Sequence, residues 1–119
     1  FASEVKRNAQ KQSPNLQGVE FLNQSYDSIV FQEIVFEEPS LVYCDSPYQG
    51  TTGYKTGAFD HNKFFDWCRQ KKAEGHTVFV SEYNAPDDFE LVWQGEVKTN
   101  FASTRKCATH TAVEKLFKV

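Results

Sequence analysis

LVYCDSPYQGTTGY, residues 41–54, runs from four apolar or aromatic residues into an acid, a Ser-Pro pair and a tyrosine, then a glycine- and threonine-rich loop. The pattern predicts a short buried strand over 41–44 that ends in a rigid, polar, solvent-facing turn. The chain beyond that loop sets the architecture. Asp60 stands where a helix N-cap belongs, and the residues through Gly75 carry an apolar stripe of Phe64, Phe65, Trp67 and Cys68. RQKK (69–72) suits the negative end of that helix dipole. TVFVSEY (77–83) is the clearest strand in the chain and is closed by Asn-Ala-Pro-Asp-Asp. Strand, helix and strand over 41–45, 60–75 and 77–83 make a βαβ crossover with two parallel neighbours. Ligands of such sheets sit beyond the carboxyl ends of the strands, where Asp45 and Tyr83 both lie.

Outward from this unit the pattern is coarser. ASEVKRNAQKQ (2–12) is a polar helix stopped by Ser13-Pro14-Asn15. VEFLNQSY (19–26) predicts a short strand opening into a polar loop, and IVFQEIVF (29–36) an apolar, β-branched strand that could also pass for one helical turn. FELVWQGEVKTNF (89–101) alternates and is interrupted at Gln94-Gly95, as two strands or one bulged strand would be. VEKLFKV (113–119) predicts a final strand. The expected fold class is α/β, in one layered domain or fragment spanning 1–119.

At 119 residues the chain has room for a single core. No apolar run is long enough to span a membrane, and none is expected. Three cysteines, at 44, 68 and 107, are an odd number without CxxC spacing and predict reduced thiols in a cytoplasmic protein. The histidines at 61, 76 and 110 are scattered, so no metal site is expected. A net charge of −3 argues against a simple electrostatic nucleic-acid binder, but the charge is uneven. Residues 12–54 hold six acids and no Lys or Arg, whereas 98–119 hold five Lys/Arg and one acid, so a local basic face is available. The chain starts with Phe and has no Met, which suggests a fragment, a processed product or part of a longer polypeptide.

The DSPY turn has the residues for one particular chemistry. An exocyclic amine on a heteroaromatic ring is a poor nucleophile because its lone pair is delocalised into the ring. A carboxylate and a carbonyl oxygen that accept its two hydrogens pull it towards tetrahedral geometry and free that lone pair. Asp45 can supply the carboxylate. Ser46 can supply the carbonyl, held because a residue before proline is restricted to extended conformations. Pro47 locks the turn through its φ, and Tyr48 can stack on a base turned out of its duplex. An acid after a strand can equally just cap the following turn.

DSPY resembles the DPPY motif of the amino-group DNA methyltransferases, and the surrounding chain is similar to the Dam-type DNA adenine methyltransferases. Their order of a Gln-Ser-Tyr segment, a hydrophobic strand and Tyr-Cys-Asp-Pro-Pro-Tyr is echoed by NQSYDS (23–28) and LVYCDSPY (41–48). FDHNKFFDWC (59–68), HTVFVSEYNAPDDF (76–89) and a basic terminal segment (97–119) follow in the family's order, so the likeness covers nearly the whole chain. The resemblance implies a partial methyltransferase-type sheet in an incomplete Rossmann-like three-layer domain, acting with S-adenosylmethionine on double-stranded DNA. It implies that Asp45 and the Ser46 carbonyl bind the adenine amino group and that Tyr48 stacks on the flipped base. Phe21, Ser25, Tyr26 and Asp45 would border the cofactor. Tyr83, Asn84, Arg105 and Lys106 would meet DNA.

Two departures matter. Ser46 replaces the family's usual proline, so the acceptor carbonyl survives but one φ constraint is lost. The family's glycine-rich cofactor loop has no counterpart before Asp45, and the glycines at 50, 53 and 57 follow DSPY and lack phosphate-loop spacing. The chain therefore resembles a catalytic half, with the cofactor loop and target-recognition module expected upstream or on a partner chain. Such a half by itself is expected to be inactive. An amino methyltransferase acting on cytosine, RNA or a protein amide is the nearest alternative. A truncated relative that binds DNA or protein without catalysis is the other. Cys44 as a nucleophile is disfavoured, because the Pro-Cys turn of the cytosine C5 enzymes is missing.

Overall fold

The computed structural model describes residues 2–29, 39–49, 58–99 and 110–119. The chain divides into two compact units, Phe1–Glu33 and Ile34–Val119. In the first, α1 (Ala2–Gln12) has no buried residue, in keeping with its polar sequence, and a 3₁₀ turn over Ser13–Leu16 with Pro14 in its first turn ends it. The strand expected over 19–26 does not form. Phe21 and Leu22 are exposed, and Tyr26–Ser28 make a 3₁₀ turn. A strand needs a ladder partner, and this segment has none among the described residues. Local bonds take its place: the Ser25 hydroxyl donates to Asp27, and the Ser28 hydroxyl donates to the Ser25 carbonyl at 2.7 Å.

The second unit is α/β. Its elements are β1 (Leu41–Asp45), α2 (His61–Ala73), β2 (Thr77–Ser81), β3 (Glu90–Thr99) and β4 (His110–Lys118). They build a mixed four-stranded open sheet in the order β1-β2-β4-β3. β1 and β2 are parallel, as the crossover predicts, with Asp45 opposite Ser81 at their carboxyl ends. β4 then inserts antiparallel between β2 and β3. The expected final strand thus starts earlier than residue 113 and pairs on both sides. The interruption expected at Gln94-Gly95 lies elsewhere: β3 is one strand whose register slips between Leu91 and Trp93. A Cβ at Gly95 would lie 2.5 Å from the Trp93 indole, so a side chain there would displace that ring.

α2 begins where expected. The Asp60 carboxylate accepts the Lys63 N–H at 3.0 Å, and Gly75 follows the helix with a φ of 98°. Phe64, Phe65 and Cys68 are buried, as are Val78 and Val80 of β2, Phe117 of β4, and Phe89 and Val119. The Phe65 and Phe89 rings meet edge to face at 5.4 Å. Each such buried side chain contributes about 1.5–3 kcal/mol relative to exposure. Strand alternation puts Cys44 on the helix side, where its thiol is hydrogen-bonded to that of Cys68. That bond and burial push the Cys68 thiol far above its ordinary pKa, and both Cys44 and Cys68 are free. The alternate positions face away from α2, and here the expectation of a buried strand fails. Leu41 is 71% exposed and Tyr43 60% exposed, so α2 covers only one face of β1. The strand expected over 29–36 lies outside the described residues apart from Ile29.

Arg69 ties the loop after β2 to the helix. Its Nε and Nη2 donate to the two Asp88 oxygens at 2.7 and 2.8 Å, and its Nη1 donates to Asp66 at 2.8 Å. The hydrogen bond from Arg69 holds the Asp88 carboxyl below its ordinary pKa of 3.8. A carboxyl depressed in the folded state stabilises fully above its unfolded value and loses that contribution as pH falls through the folded one. Arg69→Ala is therefore expected to lower the melting temperature at about pH 7, and by a smaller margin at about pH 2. Thermal melts of the two proteins at both pH values check this; an undiminished gap in acid would contradict it.

Candidate functional site

The DSPY turn continues directly from the carboxyl end of β1. Asp45 is exposed on the face of the sheet opposite α2, beside Ser81, at a strand spacing of about 4.8 Å. Neither its carboxylate nor the Ser46 carbonyl has a hydrogen-bond partner among the described residues. The Ser46 hydroxyl is buried and also has no partner there. Tyr48 folds back over the end of β2. Its phenol and the Ser81 hydroxyl share a hydrogen bond of 2.9 Å, and its ring packs on Tyr83 at 4.3 Å with the planes tilted by 55°. Burial pushes the Tyr48 phenol above its ordinary pKa, partly offset by the Ser81 bond. The ring plane is thereby fixed at both ends.

The turn is anchored from the helix side by two residues that the sequence did not single out. His61, the first residue of α2, places its Nε2 2.8 Å from the Pro47 carbonyl oxygen. A carbonyl only accepts, so Nε2 carries the proton. Glu82, next after β2, has none of its surface exposed. Its Oε1 accepts the backbone N–H of Gln49 at 3.1 Å and of Tyr83 at 2.8 Å. Its Oε2 is 3.5 Å from the His61 Nε2. The signals were present but weak: an acid closing an apolar strand, and a histidine following the helix cap.

The other expected site residues are spread over both units. Phe21 is 73% exposed, and Ser25 and Tyr26 belong to the first unit. Tyr83 packs on Tyr48, whereas Asn84 is exposed in the loop beyond it. Arg105 and Lys106 lie outside the described residues, as do the glycines at 50, 53 and 57. Among the described residues, no three His, Cys, Asp or Glu side chains converge as metal ligands, and no helix is long and apolar enough to cross a membrane. Comparison of the chain with protein-family models, curated proteins and solved structures returns no match.

The orphan hydroxyl makes Ser46 a place to test the geometry. Ser46→Pro removes a buried polar atom that has no partner among the described residues and restricts the unfolded chain. It is expected to leave the melting temperature unchanged or to raise it by a few degrees. A fall of more than about 5 °C in a thermal melt would mean that the Ser46 backbone does not accept proline.

Proposed function

We propose that the chain carries the amine-binding turn of an S-adenosylmethionine-dependent DNA adenine methyltransferase of the Dam type. The observation that carries this reading is the pair of uncommitted acceptors at the end of β1. The Asp45 carboxylate and the Ser46 carbonyl belong to consecutive residues, and no described residue competes for them. A carboxylate and a carbonyl in that relation suit the two hydrogens of one amino group, and would make its nitrogen more nucleophilic as the transition state forms. Tyr48, held by Ser81 and Tyr83, would present a ring of fixed plane to an extruded adenine. Pro47 and the bond to its carbonyl stiffen the turn between them.

The cofactor fits this chain only in part. Asp45 could accept from the ammonium of S-adenosylmethionine, but Phe21 is exposed and the Ser25 hydroxyl is already engaged by Asp27. The cofactor would supply the methyl group, and the described residues would bind and orient the amine that accepts it. We read the sheet as part of a Rossmann-like three-layer domain, since parallel sheets of this kind often carry an antiparallel addition at one edge. On this reading the remaining cofactor contacts come from an N-terminal half or a partner chain, the site is cytoplasmic, and the substrate is double-stranded DNA. A phage or restriction-modification setting would suit such an enzyme. The exposed Leu41 and Tyr43 also favour a second reading, a non-catalytic module that binds DNA or another protein through its open sheet face.

Asp45→Ala separates the two. In the enzyme assembled with its cofactor-binding half, methyl transfer to unmethylated duplex DNA is expected to fall on the order of 10²-fold or more, with the circular dichroism spectrum unchanged. Undiminished transfer would remove Asp45 from the chemistry.

A further inference from the structure

We propose that Glu82 and His61 are positioning residues that hold the Asp45–Tyr48 turn in its amine-binding geometry, supplying the constraint that a proline at position 46 would have given. The role rests on the methyltransferase reading above; the tether itself does not. It starts from a carboxylate in an unusual place. Glu82 has no exposed surface, and burying a carboxylate costs heavily unless its oxygens are well used. Two backbone donors converge on one of its oxygens. Oε1 takes the Gln49 and Tyr83 N–H groups, while Oε2 is buried without a hydrogen-bond partner among the described residues and lies 3.5 Å from the His61 Nε2. The hydrogen on that nitrogen goes to the Pro47 carbonyl, 2.8 Å away. A neutral amide could serve Oε1's two partners. It would then present its own NH₂ to the His61 N–H, donor against donor. An acceptor-only side chain suits both backbone donors and sets no donor against the His61 N–H.

The consequence for the turn follows from which atoms are tied. Residue 47 is held through its carbonyl to the first residue of α2, and residue 49 through its N–H to the end of β2. Both ties lie on the helix side. Residues 45 and 46, immediately before them, keep their acceptors free of described partners. His61 is itself braced, edge to face with Phe59 at 4.9 Å and tilted against Phe65 at 6.2 Å. Ser46 lacks the ring that would lock its φ, so displacement of residues 47–49 would pass directly to its carbonyl. A tether of this kind changes how fast the amine reacts more than how tightly DNA binds, because it acts on the alignment of acceptors.

Amide hydrogen exchange on the full 119-residue chain tests the tether without DNA or cofactor. In wild type the Gln49 amide is expected to exchange about 100-fold more slowly than in an unstructured peptide. Exchange at the unstructured rate would overturn the tether. In Glu82→Ala the Gln49 and Tyr83 amides lose that protection while Val78 and Val80 keep theirs; unchanged Gln49 protection would overturn it too. Should Glu82→Ala fail to fold, Glu82→Gln decides through kinetics in the complete enzyme. Its kcat for methyl transfer is expected to fall about 10-fold or more with KM for duplex DNA within about twofold. A wild-type kcat, or a loss carried by KM alone, would end the positioning role. If wild type transfers no methyl group while Gln49 is protected, the methyltransferase reading and the positioning role fail and the tether stands.

Discussion

A carboxylate sealed inside the protein at the end of β2 constrains everything around the DSPY turn. Glu82 draws its two donors from the turn after β1 and from its own strand end, and the first residue of α2, 3.5 Å from its other oxygen, bonds the carbonyl of that same turn. The β1 turn, the start of the helix and the end of β2 must therefore arrive together. The hydrophobic packing of Phe64, Phe65 and Cys68 over Val78 and Val80 sets the helix on the sheet. Glu82 and His61 then convert that general placement into a defined position for the backbone of residues 47–49.

The two faces of the parallel pair consequently do different work. The helix side holds the core, the thiol pair and the tether. The opposite side carries Asp45, Ser81 and the folded-back Tyr48, together with the exposed Leu41 and Tyr43. Rigidity on one side and available acceptors on the other is what an amine-orienting site requires. The open face also explains why the described residues present acceptors without enclosing them: on our reading, the remainder of the site approaches from that side.

The βαβ unit was legible because its signals were redundant. Asp60, the Phe64/Phe65/Cys68 stripe and Gly75 each mark the helix by a different mechanism, and Val78 and Val80 could hardly be anything but strand. Asp45 was placed at the strand end for the same reason. The segment 19–26 misled because alternation alone does not supply a ladder partner, and Ser25 and Ser28 satisfied the backbone locally. Exposure of Leu41 and Tyr43 was hidden because their residue types fit either a covered or an open face. Glu82 and His61 were missed because a lone acid and a lone histidine carry no pattern. Their meaning lies in contacts between residues 14 to 33 positions apart, which one-dimensional spacing cannot report.

The most direct test of the central claim is the chemical identity of the product. DNA lacking modified bases would be incubated with S-adenosylmethionine and the enzyme assembled with its cofactor-binding half, digested to nucleosides and resolved by mass spectrometry. The account predicts N6-methyldeoxyadenosine as the methylated nucleoside. Methylation of cytosine alone, or no methylated nucleoside at all, would contradict it.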